Sequence, residues 1–148
     1  MEKKFAKQDP KIAETIRHDL VKEKIVSFDG NVKFRKYRRG DLLGKGAFGD
    51  VYKMHHFSKK KDDWHVSAAK EQPKKENPEE LKRQKKKLFN EIEIHKLMDH
   101  ENICKFEHFF EDHNKVYMLL EVCSNVSLYD MLKKRRRLLE IEVKSFTL

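Results

Sequence analysis

Between Leu43 and Val51 the chain reads Leu43-Gly44-Lys45-Gly46-Ala47-Phe48-Gly49-Asp50-Val51, a GxGxxGxV spacing between two strand-like runs. Glycines packed this densely let the chain turn tightly and leave backbone amides open to close approach, because no side chain covers them. From Ile25 to Lys53, short apolar runs broken by Asp29-Gly30 and by this glycine cluster predict strands joined by turns. Val66 to Lys70 predicts a further short strand. His55 to His65 is polar and Lys-rich, as in a solvated hairpin turn lengthened by an insertion at Lys59 to Asp63. Pro73 to Glu80 is loop-like and ends in a helix start, with Asn77 as N-cap and Pro78 at the first helical position. A helix through Met98 follows, marked by Leu81, Leu88, Ile92 and Leu97. Phe106 to Phe110 and Val116 to Val122 read as an antiparallel pair across the polar turn Glu111 to Asn114. Ser127 caps a short helix ending in Lys133 to Arg137, where positive charge complements the helix dipole, and Glu140 opens another helix. Residues 1–24 alternate charges with scattered Ile, Leu and Val, which permits an amphipathic helix without a tight apolar stripe.

The 148 residues, 38% of them hydrophobic, suffice for one folded domain with a core. Lys and Arg number 34 against 25 Asp and Glu, for a net charge of +9 that suits an acidic partner without identifying one. Cys104 and Cys123 lie in hydrophobic stretches without CxxC or Cys/His ligand spacing, so neither a disulfide framework nor a metal site is expected. No run approaches the roughly 20 apolar residues of a membrane span, and Met1-Glu2-Lys3-Lys4 lacks the apolar region of a secretory signal. The expected setting is intracellular, cytoplasmic or nuclear.

Three readings compete for the glycine motif: a plain glycine hairpin, a dinucleotide-binding turn, and a hairpin folded over a triphosphate. A dinucleotide turn needs a helix directly after the glycines, whereas Val51-Tyr52-Lys53-Met54 is strand-like. Further on, Val66-Ser67-Ala68-Ala69-Lys70 is a small-residue strand ending in lysine. A lysine is usually one more exposed charge, but an ammonium on a strand behind a glycine loop can reach phosphates. Glu91, in Asn90-Glu91-Ile92-Glu93-Ile94-His95 on the following helix, is the candidate carboxylate partner, although alone it would read as an ordinary solvated helix glutamate. Glu93 is the rival, and because it lies two residues on, only one of the two can face Lys70.

With these residues the chain resembles the protein kinases, and among them the polo-like serine/threonine kinases. The glycine loop, strand lysine and helix glutamate are parts of the kinase signature. The resemblance runs from about Tyr37 to Leu148. It is carried by Tyr37-Arg38-Arg39-Gly40, the glycine loop, Glu91-Ile92-Glu93-Ile94-His95-Lys96 and His100-Glu101-Asn102-Ile103. Further on it rests on Phe109-Phe110-Glu111-Asp112, Leu120-Glu121-Val122-Cys123 and Ser127-Leu128. It implies an α+β fold: a kinase small lobe with a five-stranded antiparallel sheet and one long helix at 37–119, then the hinge and first helices of the large lobe at 120–148. Residues 1–36 would be an N-terminal extension. The resemblance also implies that the backbone of Gly44, Lys45, Gly46, Ala47, Phe48 and Gly49 covers the phosphates of ATP. Leu43, Val51 and Ala68 would sandwich the adenine, with Leu120 as gatekeeper and Leu128 below. Glu121 and Cys123 would offer backbone groups to the adenine edge. Lys70 would hold the α/β-phosphates and Glu91 would fix Lys70. His95 would join the internal packing column, or be a buried, satisfied histidine. Two departures stand out. Polo-like kinases commonly carry a small non-glycine residue where Gly49 stands, and the Lys59 to Asp63 insertion lengthens a turn that is usually short.

Phosphoryl transfer also needs an aspartate near the acceptor hydroxyl and ligands for Mg²⁺, which kinases draw from HRDxxxxN and DFG motifs. Neither occurs in these 148 residues. The expectation is therefore a fragment of a longer kinase, inactive alone, with Mg²⁺ bound only in a complete domain. Its partners would be ATP, the remainder of the kinase domain and, through it, a protein substrate. Apolar surface around Val51, Ala68, Leu120 and Leu128 should then lie open. A truncated pseudokinase-like module that binds nucleotide or a partner is the alternative. The basic runs Lys82 to Lys87 and Lys133 to Arg137 could contact nucleic acid, but such runs are usually solvated faces and no base-reading motif accompanies them.

Overall fold

The structure is a computed structural model that describes residues 19–46, 49–58, 62–123 and 127–147. Its strands are β1 (Leu20–Val26), β2 (Val32–Gly46), β3 (Gly49–Ser58), β4 (Asp63–Pro73), β5 (Phe106–Glu111) and β6 (Lys115–Leu120). Helix α1 spans Pro78–Lys96, α2 Leu128–Arg135 and α3 Glu140–Thr147. All six strands pair antiparallel in the order β1-β2-β3-β4-β6-β5. The architecture is the expected α+β sheet with one long helix, but among the described residues it has six strands rather than five. The additional strand is β1, which lies in the segment expected to be an extension and pairs along its whole length with residues 32–38 of β2. The connecting turn uses Gly30 at φ +79, a left-handed conformation that glycine adopts without strain, and Asp29 accepts a hydrogen bond from Asn31 N at 3.2 Å.

Side chains alternate across the pleat, and β6 shows what each face meets. Val116 and Met118 are buried with Leu88 and Ile92 of α1, and Phe106, Phe109 and Leu120 pack at the margin. On the other face Tyr117 and Leu119 join Tyr37, Met54, Ala69 and Phe110. This second core exists because the sheet curls. Tyr37 of β2 stacks on Phe110 of β5 at 4.8 Å between centroids, and Phe110 stacks on Tyr117 of β6 at 4.7 Å, although β2 and β5 are far apart in sheet order. Each stacked pair contributes about 0.5–1.5 kcal/mol beyond its buried area. The two outermost strands meet at the mouth of the curl, where Glu23 of β1 accepts hydrogen bonds from Tyr37 OH (2.8 Å) and pairs with His108 of β5 (2.7 Å). Burial raises the pKa of the Tyr37 and Tyr117 phenols, and the carboxylates they donate to, Glu23 and Asp112, add to the rise. They stay protonated donors.

Helix α1 begins where the sequence indicates. The Asn77 side chain accepts from Glu79 N and Glu80 N, Pro78 stands at the start, and Glu79 and Glu80 complement the dipole. Leu88 and Ile92 are its buried residues, whereas Leu97 falls at the C-cap and is 87% exposed. The β3–β4 hairpin departs further from expectation. Residues 55–58 and 63–65 are paired strand, not turn, in a register that sets His55 against Val66 and Ser58 against Asp63. Polar strand residues hid this, since backbone pairing does not require apolar side chains. Lys59 to Lys61, the first part of the insertion, lie outside the described residues. Helices α2 and α3 bury no residue among those described.

The glycines differ in what the fold asks of them. Gly49 has φ +140, and a Cβ there would fall 2.1 Å from the Glu71 carbonyl oxygen. Gly44 has no atom within 4 Å of where its Cβ would be. Gly49→Ala should therefore lower unfolding stability by about 1–3 kcal/mol in a urea titration, while Gly44→Ala should change it by no more than about 0.5 kcal/mol. Equal effects would contradict this assignment of strain.

His56 faces the curl, and burial lowers its pKa below the ordinary value of 6.5, helped by His65 and Arg35. Burial lowers that of His55 too, with Arg38 and Lys53 adding to it. A depressed folded-state pKa gives stability that is complete above pH 6.5 and is lost as the pH falls below it, because the unfolded chain takes up a proton that the folded chain resists. Between pH 7.5 and 5.5 the melting temperature should fall less for His56→Phe than for the parent chain; an identical fall would remove His56 from the acid sensitivity.

Candidate nucleotide site

Strand β4 places the central side chains. Its residues Ser67, Ala69 and Glu71 point into the curl, while Ala68 and Lys70 point toward α1, as their cross-strand partners Leu120 and Met118 require. One row across the sheet reads Gly44, Val51, Lys70, Met118 and Phe109. Lys70 therefore stands two strands from Gly44 on the helix side of the sheet. Its ammonium is 2.7 Å from Glu91 Oε1. Glu91 lies one residue before the buried Ile92 on α1, which turns it toward β4, whereas Glu93 is 3.6 Å from Lys96 of its own helix. Of the two carboxylates weighed from the sequence, Glu91 is the one that meets Lys70.

The glycine segment closes as a hairpin, with Gly46 paired to Gly49 and register shifts between Arg39 and Gly44. Ala47 and Phe48 lie outside the described residues. Gly44, Lys45 and Gly46 are exposed at the end of β2. Leu43 is exposed and Val51 half-buried, while Ala68 is buried against the sheet rather than left open as expected. Leu120 is half-buried beside the α1 core, and Leu128 is 50% exposed at the start of α2.

After β6 the chain runs on through Glu121 to Cys123, both exposed. The Glu121 amide donates to Lys105 O at 2.9 Å, and the Glu121 carbonyl accepts from Cys104 Sγ at 3.5 Å. A neutral donor elsewhere can displace so long a thiol contact. His95 is half-buried and its Nε2 lies 2.7 Å from the Cys104 carbonyl, so the imidazole is satisfied.

Sequence reasoning passed over Glu71, the neighbour of Lys70. It is 3% exposed, and its carboxylate is held by Lys115 at 2.7 Å and Arg39 at 3.4 Å on the face opposite Lys70. Period-two alternation is the signal that separates the two: adjacent strand residues cannot share a face. Among the described residues no group of three or more His, Cys, Asp or Glu could hold a metal ion, and no helix is long and apolar enough to cross a membrane.

The protein kinase domain family matches residues 37–148, starting within β2. A Zea mays protein described as a probable serine/threonine-protein kinase (CCRP1) is 42% identical over 146 residues, 95% of this chain and 22% of that protein. The Dictyostelium discoideum protein described as a probable serine/threonine-protein kinase PLK is 40% identical over 127 residues, 86% of this chain and 12% of that protein. The Saccharomyces cerevisiae cell cycle serine/threonine-protein kinase CDC5/MSD2 is 43% identical over 113 residues, 76% of this chain and 15% of that protein. The chain thus spans less than a quarter of the length of each. It belongs to the protein kinase family, with polo-like and other serine/threonine kinases among its relatives.

Proposed function

We propose that residues 37–119 are the small lobe, and residues 120–148 the hinge and start of the large lobe, of a polo-like protein serine/threonine kinase, and that the site between β2, β4 and α1 binds ATP. The observation that supports this reading is the pair Lys70–Glu91, 2.7 Å apart, with Lys70 in the same row of the sheet as Gly44 and Glu91 on α1. Gly44 also fits the ligand. Its backbone has no left-handed φ and its missing side chain would meet nothing in the protein, so the fold itself does not call for glycine there. A phosphate group approaching the hairpin does.

In this reading the Lys70 ammonium neutralises charge on the α/β-phosphates, and Glu91 holds it in place. Hairpin amides of residues 44–49 cover the phosphates. Leu43, Val51 and Ala68 lie above the adenine and Leu128 below it, Leu120 closes the back, and backbone groups of Glu121 and Cys123 meet the adenine edge. ATP supplies the phosphoryl group that a complete kinase transfers to a protein serine or threonine. The 148 residues contain neither HRDxxxxN nor DFG, and the polypeptide they form is proposed to bind nucleotide without transferring phosphate. A non-catalytic binding module is the second reading. It draws support from a mouse relative, 41% identical over 112 residues, whose description is inactive serine/threonine-protein kinase PLK5.

ATP should raise the melting temperature of the chain in a concentration-dependent way, reaching about 1.4 kcal/mol of stabilisation at tenfold excess over Kd, a few degrees in Tm. Lys70→Met should remove most of that shift. Glu91→Gln should reduce it while altering the ligand-free stability by no more than about 1 kcal/mol, because the Lys70–Glu91 pair is partly exposed and solvent screens it. An undiminished ATP shift in Lys70→Met would reject the role given to this lysine.

A further inference from the structure

The hairpin of β1 and β2 ends in a cluster of exposed apolar side chains. Its turn is closed by Ser27 N donating to Asn31 O and Gly30 N donating to Ser27 O, both at 2.9 Å. Phe28, within the turn, is wholly exposed, so the fold gains no packing from an aromatic there. Cross-strand partners share a face of the sheet, and the curl takes Glu23 and Tyr37, which leaves the neighbouring pairs on the opposite face. From the turn backward those pairs run Val26–Val32, Lys24–Phe34 and Lys22–Lys36. Val26, Val32 and Phe34 are exposed, as are Lys22 and Lys24, which form no ion pair among the described residues. The β2–β3 ladder starts at Tyr37, so residues 26–32 lie beyond the end of that pairing. Asp29 is the acidic group of the turn, and Asn31 donates to both of its oxygens, at 3.2 Å from N and 2.5 Å from Nδ2.

We propose that the β1–β2 hairpin docks on a bilayer containing anionic lipids, seating Phe28, Val26 and Val32 in the membrane interface with Lys24 and Lys22 against the lipid phosphates. The order of the side chains matches such a surface. At about 3.3 Å per residue, Lys24 stands about 7 Å and Lys22 about 13 Å behind the Val26–Val32 pair. A segment lying in the interface buries its apolar groups about 5–10 Å into the boundary between headgroups and acyl chains, so the first ammonium reaches the phosphates as the apolar tip passes them. The lysine stems lie along apolar surface while their charged ends stay in water. Lys33, beside Val32 and also exposed, adds a cation near the tip. A flat, negative, deformable surface suits an apolar point with cations ranked behind it, whereas a protein partner would need a pocket for Phe28 and imposes no such ranking. The net charge of +9 acts in the same sense. Asp29 opposes deep entry and confines the contact to the interface. The contact is peripheral and differs from a membrane span, for which no helix among the described residues is long and apolar enough. The family match begins at residue 37, so this end of the hairpin lies ahead of the matched domain and the inference does not rest on the nucleotide reading.

The test is co-sedimentation of the 148-residue chain with phosphatidylcholine vesicles, made with and without phosphatidylserine as a minor component. Binding is expected to need phosphatidylserine and to weaken as salt is raised. Phe28→Ser should lower the partition coefficient about tenfold, and Lys22→Glu combined with Lys24→Glu should lower it at least as much. All three positions are exposed, so the melting temperature of these variants should stay within a few degrees of the parent chain, which separates lost binding from lost folding. Depth is read independently in Trp64→Phe combined with Phe28→Trp, which moves the single tryptophan of the chain to the tip. Its emission should shift to the blue on binding and be quenched by lipids brominated on their acyl chains. No binding, binding unmoved by Phe28→Ser, or emission unchanged on bound vesicles would each overturn the proposal. Dimerisation without vesicles that Phe28→Ser abolishes would assign the patch to a second copy of the chain instead. Phe28-dependent binding of polyglutamate as tight as that of the vesicles would assign it to an acidic protein.

Discussion

The alternation of side chains along β4 is the constraint on which the rest of the molecule depends. Ser67, Ala69 and Glu71 face the inside of the curl, while Ala68 and Lys70 face α1. A slip of one residue in register would send Lys70 into the curled core and Glu71 toward Glu91. Both faces oppose that slip. Inside, Ala69 is fully buried beneath the Tyr37–Phe110–Tyr117 stack and Glu71 has two cationic partners. Outside, Met118 is locked against Leu88 and Ile92. The position of the Lys70 ammonium is thus fixed by packing on both sides of a strand and not by its own ion pair.

That division explains why two lysine–glutamate contacts of similar length differ in consequence. Glu71 is nearly inaccessible, so removing either cation would leave a buried carboxylate undercompensated, a loss of several kcal/mol on the scale of buried pairs. Glu91 and Lys70 are partly open to solvent and add little to stability. Their arrangement gains meaning from what a polyanion would find there: an ammonium held at a known place beside a hairpin whose Gly44 leaves free space.

Much of this was legible in the residues, for identifiable reasons. Asn77-Pro78 carries its own capping chemistry, Asp29-Gly30 its own turn, and the glycine loop, Lys70 and Glu91 keep a recognisable order. Strand β1 was hidden because its inward position 23 is a glutamate, which breaks the apolar alternation; only the fold supplies the Tyr37, Arg35 and His108 groups that satisfy it. The long β3–β4 hairpin was hidden by its histidines and charged residues, which are tolerated because its ladder is made of backbone hydrogen bonds. Glu71 was overlooked because its partners come from β2 and β6, distant in the chain.

The central claim is spatial: the ammonium of residue 70 lies where the phosphates of a bound nucleotide pass. An ATP analogue carrying a mixed acyl-phosphate anhydride transfers its acyl group to whichever lysine is within reach of the phosphates, and peptide mass analysis then identifies that lysine. With 26 Lys residues in the chain, competition is the necessary control. The account predicts acylation concentrated at Lys70 and suppressed by excess ATP. Labelling spread over the surface lysines of α1 and insensitive to ATP would contradict it.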